Sequence, residues 1–421
     1  MSTLQALLDR FREWPAWARY MVLAAIGVFV LGLVESFEAG GAGRLTSVQA
    51  SQAMLKWSVP ILLAGLGGLY SERAGVVNIG LEGMMIVGTW TGAWGALEWG
   101  PWAGLLTGLI GGALGGLVHA IATVSFGVDH VVSGVAINIL TPGLVRFLST
   151  EVWHNPTQSP DVGGLGKFTA PVLAGGSFFG ADTPDALGRI DKEGIFFVSD
   201  LAGFLRGFIS GLSLFTLIAL LFVPITAWVV WKTRFGLRLR ISGEHPTAGE
   251  SLGVDIIRQK YIGVVISGAL SGLGGAYIAM ELAGFFQEGQ TTGRGFIGLA
   301  ALIFGNYRPA GILVAAFVFG YPFGISLRDL DGESTHALLM VVSIALLLVV
   351  IWAWKRRKFS DVVVAGVLAV GMIIWYAMSS KAPDWLPNTM PYVIVLLVLV
   401  FASQRLRPPA ADGMVYRKGE H

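Results

Sequence analysis

The chain has no cysteine. That excludes disulfides, zinc–thiolate sites, iron–sulfur clusters and a thiol nucleophile, and leaves the compartment open. Charge is scarce as well. Only 13% of the 421 residues are Asp, Glu, Lys or Arg, against about 25% in a typical soluble domain. A formal net charge of +2 supplies no concentrated basic face, so a nucleic-acid partner is not expected. The phosphate-cradling pattern G-x-x-x-x-G-K-[ST] is missing, since the lone Gly166-Lys167 is followed by Phe168. The chain therefore has no P-loop with which to bind ATP. H-E-x-x-H is missing too, and His119, His130, His154, His245, His336 and His421 are scattered. Each reads as a structural or solvated side chain, so no metal, no cofactor and no catalytic constellation are expected in this chain.

What the sequence has instead is apolar length. Hydrophobic residues make up 54% of it and its mean hydropathy is +0.68. The ruler for such a chain is the roughly 20 apolar residues that cross a bilayer. Fifty-eight glycines and 14 tryptophans fit, because glycine permits close helix packing and Trp collects at membrane interfaces. The fold class is all-α and polytopic, with about 12 transmembrane segments.

The expected segments are Trp17–Val34, Trp57–Tyr70, Val76–Leu97, Trp102–Phe126, Val131–Leu148, Ile209–Trp231, Tyr261–Ala283, Phe296–Gly305, Ala310–Ser326, Ala337–Trp354, Val362–Met378 and Tyr392–Ala402. Trp57–Tyr70 and Phe296–Gly305 are short enough to read as broken or re-entrant pieces, tolerated only where protein or water surrounds them. The first segment reads as a retained signal-anchor, since it exceeds the usual signal-peptide core. Most Lys and Arg fall on one side if both termini are cytoplasmic, and the Lys355–Lys358 run is hard to place outside. Two loops are long: 149–208, read as external, and 232–259, read as cytoplasmic. The whole reads as one transmembrane domain over 1–421.

Gly65-Leu66-Gly67-Gly68-Leu69-Tyr70 returns as Gly272-Leu273-Gly274-Gly275-Ala276-Tyr277, on segments of opposite direction. Inverted-repeat transporters have this pattern; glycine-rich coincidence is the alternative. Gly104, Gly108, Gly112 and Gly116 bare one helix face for a close neighbour.

The stretch Ser71-Glu72-Arg73-Ala74-Gly75-Val76-Val77-Asn78-Ile79-Gly80-Leu81-Glu82-Gly83-Met84-Met85 carries the chemistry. Asn78 and Glu82 are four apart, so on a continuous helix they share one face, with Gly80 and Gly83 thinning it. An ionisable group inside a span is a functional candidate. Glu82 either lines a solute path or bonds a neighbouring backbone, and the two roles are compatible. Glu72 and Arg73 are expected at the membrane edge, with Arg73 snorkelling.

The same stretch resembles, nearly residue for residue, the signature of permease subunits in the nucleoside and simple-sugar branch of bacterial ABC importers, related to ribose and branched-chain amino-acid permeases. Thr233-Arg234-Phe235-Gly236-Leu237-Arg238-Leu239-Arg240 and Gly243-Glu244-His245-Pro246-Thr247-Ala248 resemble its cytoplasmic loop. Gly293 to Gly305 resembles its late glycine-bounded segment, and Pro409 to Tyr416 its terminus. The departures are a long 149–208 loop, Gly249-Glu250 where the family tends to small apolar residues, and an insertion at 335–380 that reads as a helical hairpin.

The resemblance implies a non-enzymatic subunit of the bacterial inner membrane. Its partners would be an ATPase subunit that binds the ATP, a second permease subunit, alike or different, an extracytoplasmic substrate-binding protein or lipoprotein, the small solute and the lipids. Asn78, Gly80, Glu82 and Gly83, with Phe285, Phe286 and Gly295 in the counterpart position, would line the path. Arg238, Arg240, Glu244, Pro246, Ala248 and Gly253 would couple to the ATPase. The loop supports that on its own terms: Pro246 suits a first helical turn and Gly253 a stop. The signature from Arg73 to Met85 is nearer to nucleoside and purine importers than to ribose importers. The competing readings are a proton-coupled secondary transporter with Glu82 as carrier and, less supported, a membrane-embedded enzyme.

Overall fold

The computed structural model describes residues 26–34, 45–178, 181–326, 333–355, 357, 359–379, 383, 386, 389, 392–397 and 407–417. These divide between two compact units. One draws on 1–53, 168–211 and 323–390, the other on 54–167, 212–322 and 391–421. Seven described helices are long and apolar enough to cross a membrane, and two shorter apolar ones accompany them. Of the expected twelve segments, Trp17–Val34 and Tyr392–Ala402 lie partly outside the described residues.

The larger unit carries the site. Its helices are α1 (Val48–Arg73, begun in the other unit), α2 (Leu81–Trp99), α3 (Pro101–Ala120) and α4 (His130–Trp153). Then follow α7 (Leu214–Lys232), α8 (Arg234–Glu244), α9 (Pro246–Ser251), α10 (Ile256–Tyr277), α11 (Arg294–Phe304) and α12 (Pro309–Ser326). Single π turns extend α3 through Ser125 and α10 through Ala283. Trp57–Tyr70 is not a broken piece: it belongs to the 26-residue α1, which runs through Pro60. The second broken segment is short as expected, 11 residues as α11.

Glycine decides how close these helices come. The α3 ladder meets a matching one on α10. A methyl on Gly116 would strike the carbonyl of Val264 at 2.6 Å, one on Gly112 would overlap the backbone of Gly268 and Gly272, and one on Gly108 would overlap Ala276. Backbones in contact gain dispersion that larger side chains would prevent.

The two copies of the repeated motif also pack on each other. A methyl on Gly67 would meet Ser267 O at 2.6 Å, and one on Gly274 would meet Pro60 O at 3.2 Å. Gly67 stands to Gly274 as Pro60 stands to Ser267, 207 positions on, so a local two-fold exchanges the contacts. The relation continues into the next helices. Gly88 of α2 abuts Gly272 of α10, and Gly298 of α11 abuts Ala64 and Gly65 of α1. Gly83-Met84-Met85-Ile86-Val87-Gly88 and Gly293-Arg294-Gly295-Phe296-Ile297-Gly298 are the counterpart starts. The inverted repeat is therefore geometric, and coincidence of glycines does not account for it.

The smaller unit holds α5 (Ala186–Lys192) and α6 (Val198–Gly207), a two-residue hairpin pairing Ser177–Phe178 with Ala181–Asp182, and two long helices, α13 (Glu333–Lys355) and α14 (Phe359–Met378). Three residues join α13 to α14, and the His336 ring stacks on Tyr376 at 4.4 Å. Asp185 caps α5 and pairs with Arg206. The loop read as 149–208 is thus partly helical, and its start belongs to α4.

Candidate functional site

The chain between α1 and α2 is not helical. Residues 76–80 leave the end of α1 as an open strand of backbone, and α2 begins only at Leu81. Asn78 and Glu82 consequently do not share a helix face, and that expectation is corrected. Gly75 makes the turn possible, at φ +82°.

Open backbone away from water must find partners for its N–H and C=O groups. Here side chains from distant parts of the sequence supply them. Lys260 Nζ donates to Gly75 O at 3.0 Å, and Ser242 Oγ to Ala74 O at 3.2 Å. The Val77 amide donates to His130 Nδ1 at 3.3 Å, while its carbonyl meets His119 Nε2 at 3.1 Å. Asn138 takes both sides of the corner, donating to Ile79 O at 2.9 Å and accepting from Gly83 N at 2.7 Å. Ser271 closes the series on Leu81 O at 2.6 Å. Asn78 itself is fully buried and donates to Ser267 Oγ at 2.9 Å. His119 and His130 are structural, as the sequence suggested. Asn138, Lys260, Ser267 and Ser271 carried no motif, and no local pattern marked them.

Glu82 is 6% exposed and lies in the first turn of α2. Its carboxylate reaches across to the start of α11. Oε1 accepts from Thr291 Oγ1 at 2.6 Å and from Gly293 N at 2.9 Å, and Oε2 from Gly295 N at 2.6 Å. It therefore caps a helix of the opposite half, and the N-termini of the counterpart helices α2 and α11 meet at one carboxylate. Glycine is required at 295, because a methyl there would lie 2.5 Å from Glu82 Cα. Gly83 admits α4, with Ile137 O and Thr141 Oγ1 each 2.9 Å from a built methyl, and Gly80 faces Gly134. Arg294 sits beside the cap, over the Trp57 ring at 4.4 Å.

Between α10 and α11 the chain returns through 284–293, ten residues where the first half uses seven. A strand from the long loop lies along it. Ser159 N donates to Phe286 O at 3.0 Å, Phe286 N to Ser159 Oγ at 2.9 Å, and Glu288 N to Thr157 O at 2.8 Å. Phe286 is thereby fixed and buried, 5.7 Å from the Trp153 ring, which continues to Trp90 at 5.2 Å. Phe285 is half-buried. A cavity of about 190 Å³ lies between this return, α2 and α4, with Thr89, Phe286, Gln290 and Thr291 among its walls. Both amide atoms of Gln290 are buried without a hydrogen-bond partner. Ligand pockets usually measure about 300–1,000 Å³, so this is room for part of a solute.

At the other end of the bundle the expected coupling residues are dispersed. α9 forms as predicted, with Pro246 in its first turn and Gly253 beyond its end at φ +78°. Arg238 and Ala248 are exposed and Arg240 is half-buried. Glu244 turns inward, to Arg73 at 3.2 Å. Glu72 is buried, 3% exposed. Arg73 lies between the rings of Trp231 and Tyr307, 5.7 and 5.8 Å from their centres.

Residues 52–351 match the family described as the permease component of the branched-chain amino acid transport system. The guanosine ABC transporter permease protein NupQ of Bacillus subtilis is 39% identical over 65% of this chain and 81% of its own length. The nucleoside ABC transporter permease protein NupC of Lactococcus lactis is 37% identical over 87% of this chain and 96% of its own. The glucose ABC transporter permease protein TsgB13 of Haloferax volcanii is 26% identical over 75% and 82%. No solved structure matches.

Proposed function

The chain belongs to the family of branched-chain amino acid transport permease components, and we propose that it is the membrane subunit of an ABC importer that passes nucleosides. The observation that carries the reading is the match to relatives named as nucleoside permeases over up to 96% of their length. ATP is hydrolysed by a separate subunit, and an extracytoplasmic binding protein delivers the solute. A second permease subunit completes the path, and both termini face the cytoplasm.

The solute passes the cavity beside the return 284–293. Phe286 and the neighbouring tryptophans supply an aromatic wall for the base, and the unmet amide of Gln290 and Thr89 supply polar contacts. A weak site suffices, since affinity belongs to the binding protein and direction to ATP. Glu82 serves this path as the cap that holds α11 against α2, with Asn78 beside it. α9 and the exposed Arg238 engage the ATPase. The proton-carrier alternative is not favoured, because both Glu82 oxygens are occupied by donors and the relatives are ABC permeases.

Uptake of labelled guanosine, uridine and ribose in cells with and without the gene and its neighbours tests the reading. Guanosine and uridine uptake should depend on the gene and survive an uncoupler while ATP stays high. Uptake of ribose alone, or collapse with the uncoupler, would overturn it.

A further inference from the structure

The terminal segment 407–417 has no regular structure, yet it touches most of the connections at the α9 end of the bundle. Ala411 N donates to Gly243 O at 2.8 Å and Ala410 N to Glu244 Oε2 at 3.2 Å, both at the end of α8. Tyr416 Oη donates to Glu250 Oε2 of α9 at 2.5 Å. Arg407 N donates to Asn306 Oδ1 at 2.9 Å, in the turn after α11. Between these anchors Gly413, at φ +75°, brings the segment close to the open strand, where a methyl built on it would lie 3.4 Å from Val77 Cγ2, and a methyl built on Gly127 beyond α3 would lie 3.4 Å from Val415 Cγ1. Pro409 and Ala411 are buried, whereas Met414 and Val415 are 61% and 47% exposed. A largely exposed segment held by four hydrogen bonds, to the end of α8, to α9 and to the turn after α11, is not there to fill a core.

We propose that 407–417 is a tie joining α9 to the open strand 74–80, so that movement of α9 is carried to the backbone that leads into Glu82. The inference rests on the reading that α9 seats in the ATPase. A lever of six residues needs a linkage to do work at a distance, and the tail bonds the lever and packs on the strand at once. Glu244 shares the same linkage, since it accepts from Arg73 at the end of α1 and from the tail. The tie acts through other groups and touches no solute; its residues position and transmit.

The test uses the full importer, with ATPase and binding protein, in vesicles. Three quantities are read on the same preparation: ATPase retained with the permease, ATP hydrolysed, and solute taken up. Tyr416→Phe should leave retention within about twofold and lower solute moved per ATP by roughly threefold to tenfold, as expected for the net worth of one solvent-accessible hydrogen bond. Removing 408–421 should lower it further. Glu250→Gln keeps an acceptor for Tyr416 and should stay near the starting ratio. An unchanged ratio in both Tyr416→Phe and the truncation overturns the tie, as does retention that falls in step with uptake. A variant lacking 246–251 separates the two claims. If it still couples, the seating of α9 is wrong; if it uncouples while both tail variants couple, only the tie is wrong.

Discussion

At the scale of single residues the most consequential is Glu82. Its three donors include two amides of another helix's first turn, and a buried donor left unmet costs about 1–3 kcal/mol. Glu82→Gln retains one acceptor oxygen and turns an NH2 group toward an amide donor. The expected outcome is a lower yield of folded protein, with surviving molecules transporting at near the normal rate. Normal yield with lost uptake would instead mark Glu82 as a solute contact. Asp412 offers a second residue-scale prediction. Burial pushes its carboxyl up to about 7, against the opposing pull of the Glu72 hydrogen bond, of Lys260, of the Gly413 amide and of Arg73. The docked tail thus holds the proton more tightly than a free chain, so docking is firmest at acid pH. It weakens as pH rises from the ordinary 3.8 to about 7. A spin label on a cysteine at 414 should become more mobile from pH 5 to 8, and Asp412→Asn should flatten that rise.

Between elements, glycine contact dominates. Gly112→Ala would drive a methyl into the Gly268 carbonyl, and overpacking of that kind costs about 1–3 kcal/mol. Gly143 lies inside α4 with nothing within 4 Å of a built methyl. Gly143→Ala should be neutral or slightly stabilising, by about 0.5–1 kcal/mol. Thermal aggregation of the detergent-solubilised protein should separate the pair, and equal effects would contradict the packing. These elements also divide what the sequence revealed from what it hid. The α3 ladder, the Gly65 and Gly272 repeats and α9 were legible because each is a local pattern with a local cause. The break before Leu81 was not. Val76-Val77-Asn78-Ile79-Gly80 reads as apolar helix, and α2 opens at Gly80 without a side-chain cap. The groups that hold the strand open stand as far as 190 residues away, as Ser271 does from Leu81. Their spacing carries no period, so pattern reading had nothing to find.

For the whole molecule, family and fold class were readable, because composition, apolar length and the ordered motifs of Arg73 to Met85 and Thr233 to Ala248 all lie in the sequence itself. The chain's lack of cysteine makes topology directly measurable. A cysteine at Arg357, in the turn between α13 and α14, should react with an impermeant maleimide only from the cytoplasmic side. Labelling from outside would overturn the cytoplasmic placement of the turn and of both termini.

The local two-fold has one further consequence, for direction. A scaffold of equivalent halves would yield equally from either face, and nothing in it would distinguish import from leak. The two returning loops break that equivalence in length and in their turns. The first, 74–80, is seven residues long, turns on one left-handed glycine and is braced by at least six side-chain bonds. The second, 284–293, is ten residues long and turns on three, Gly284, Gly289 and Gly293, braced in its turn by Ser159 and Glu82 among others. The two halves therefore meet a shared load with returns of unequal length, and the symmetry of the scaffold ends at its loops.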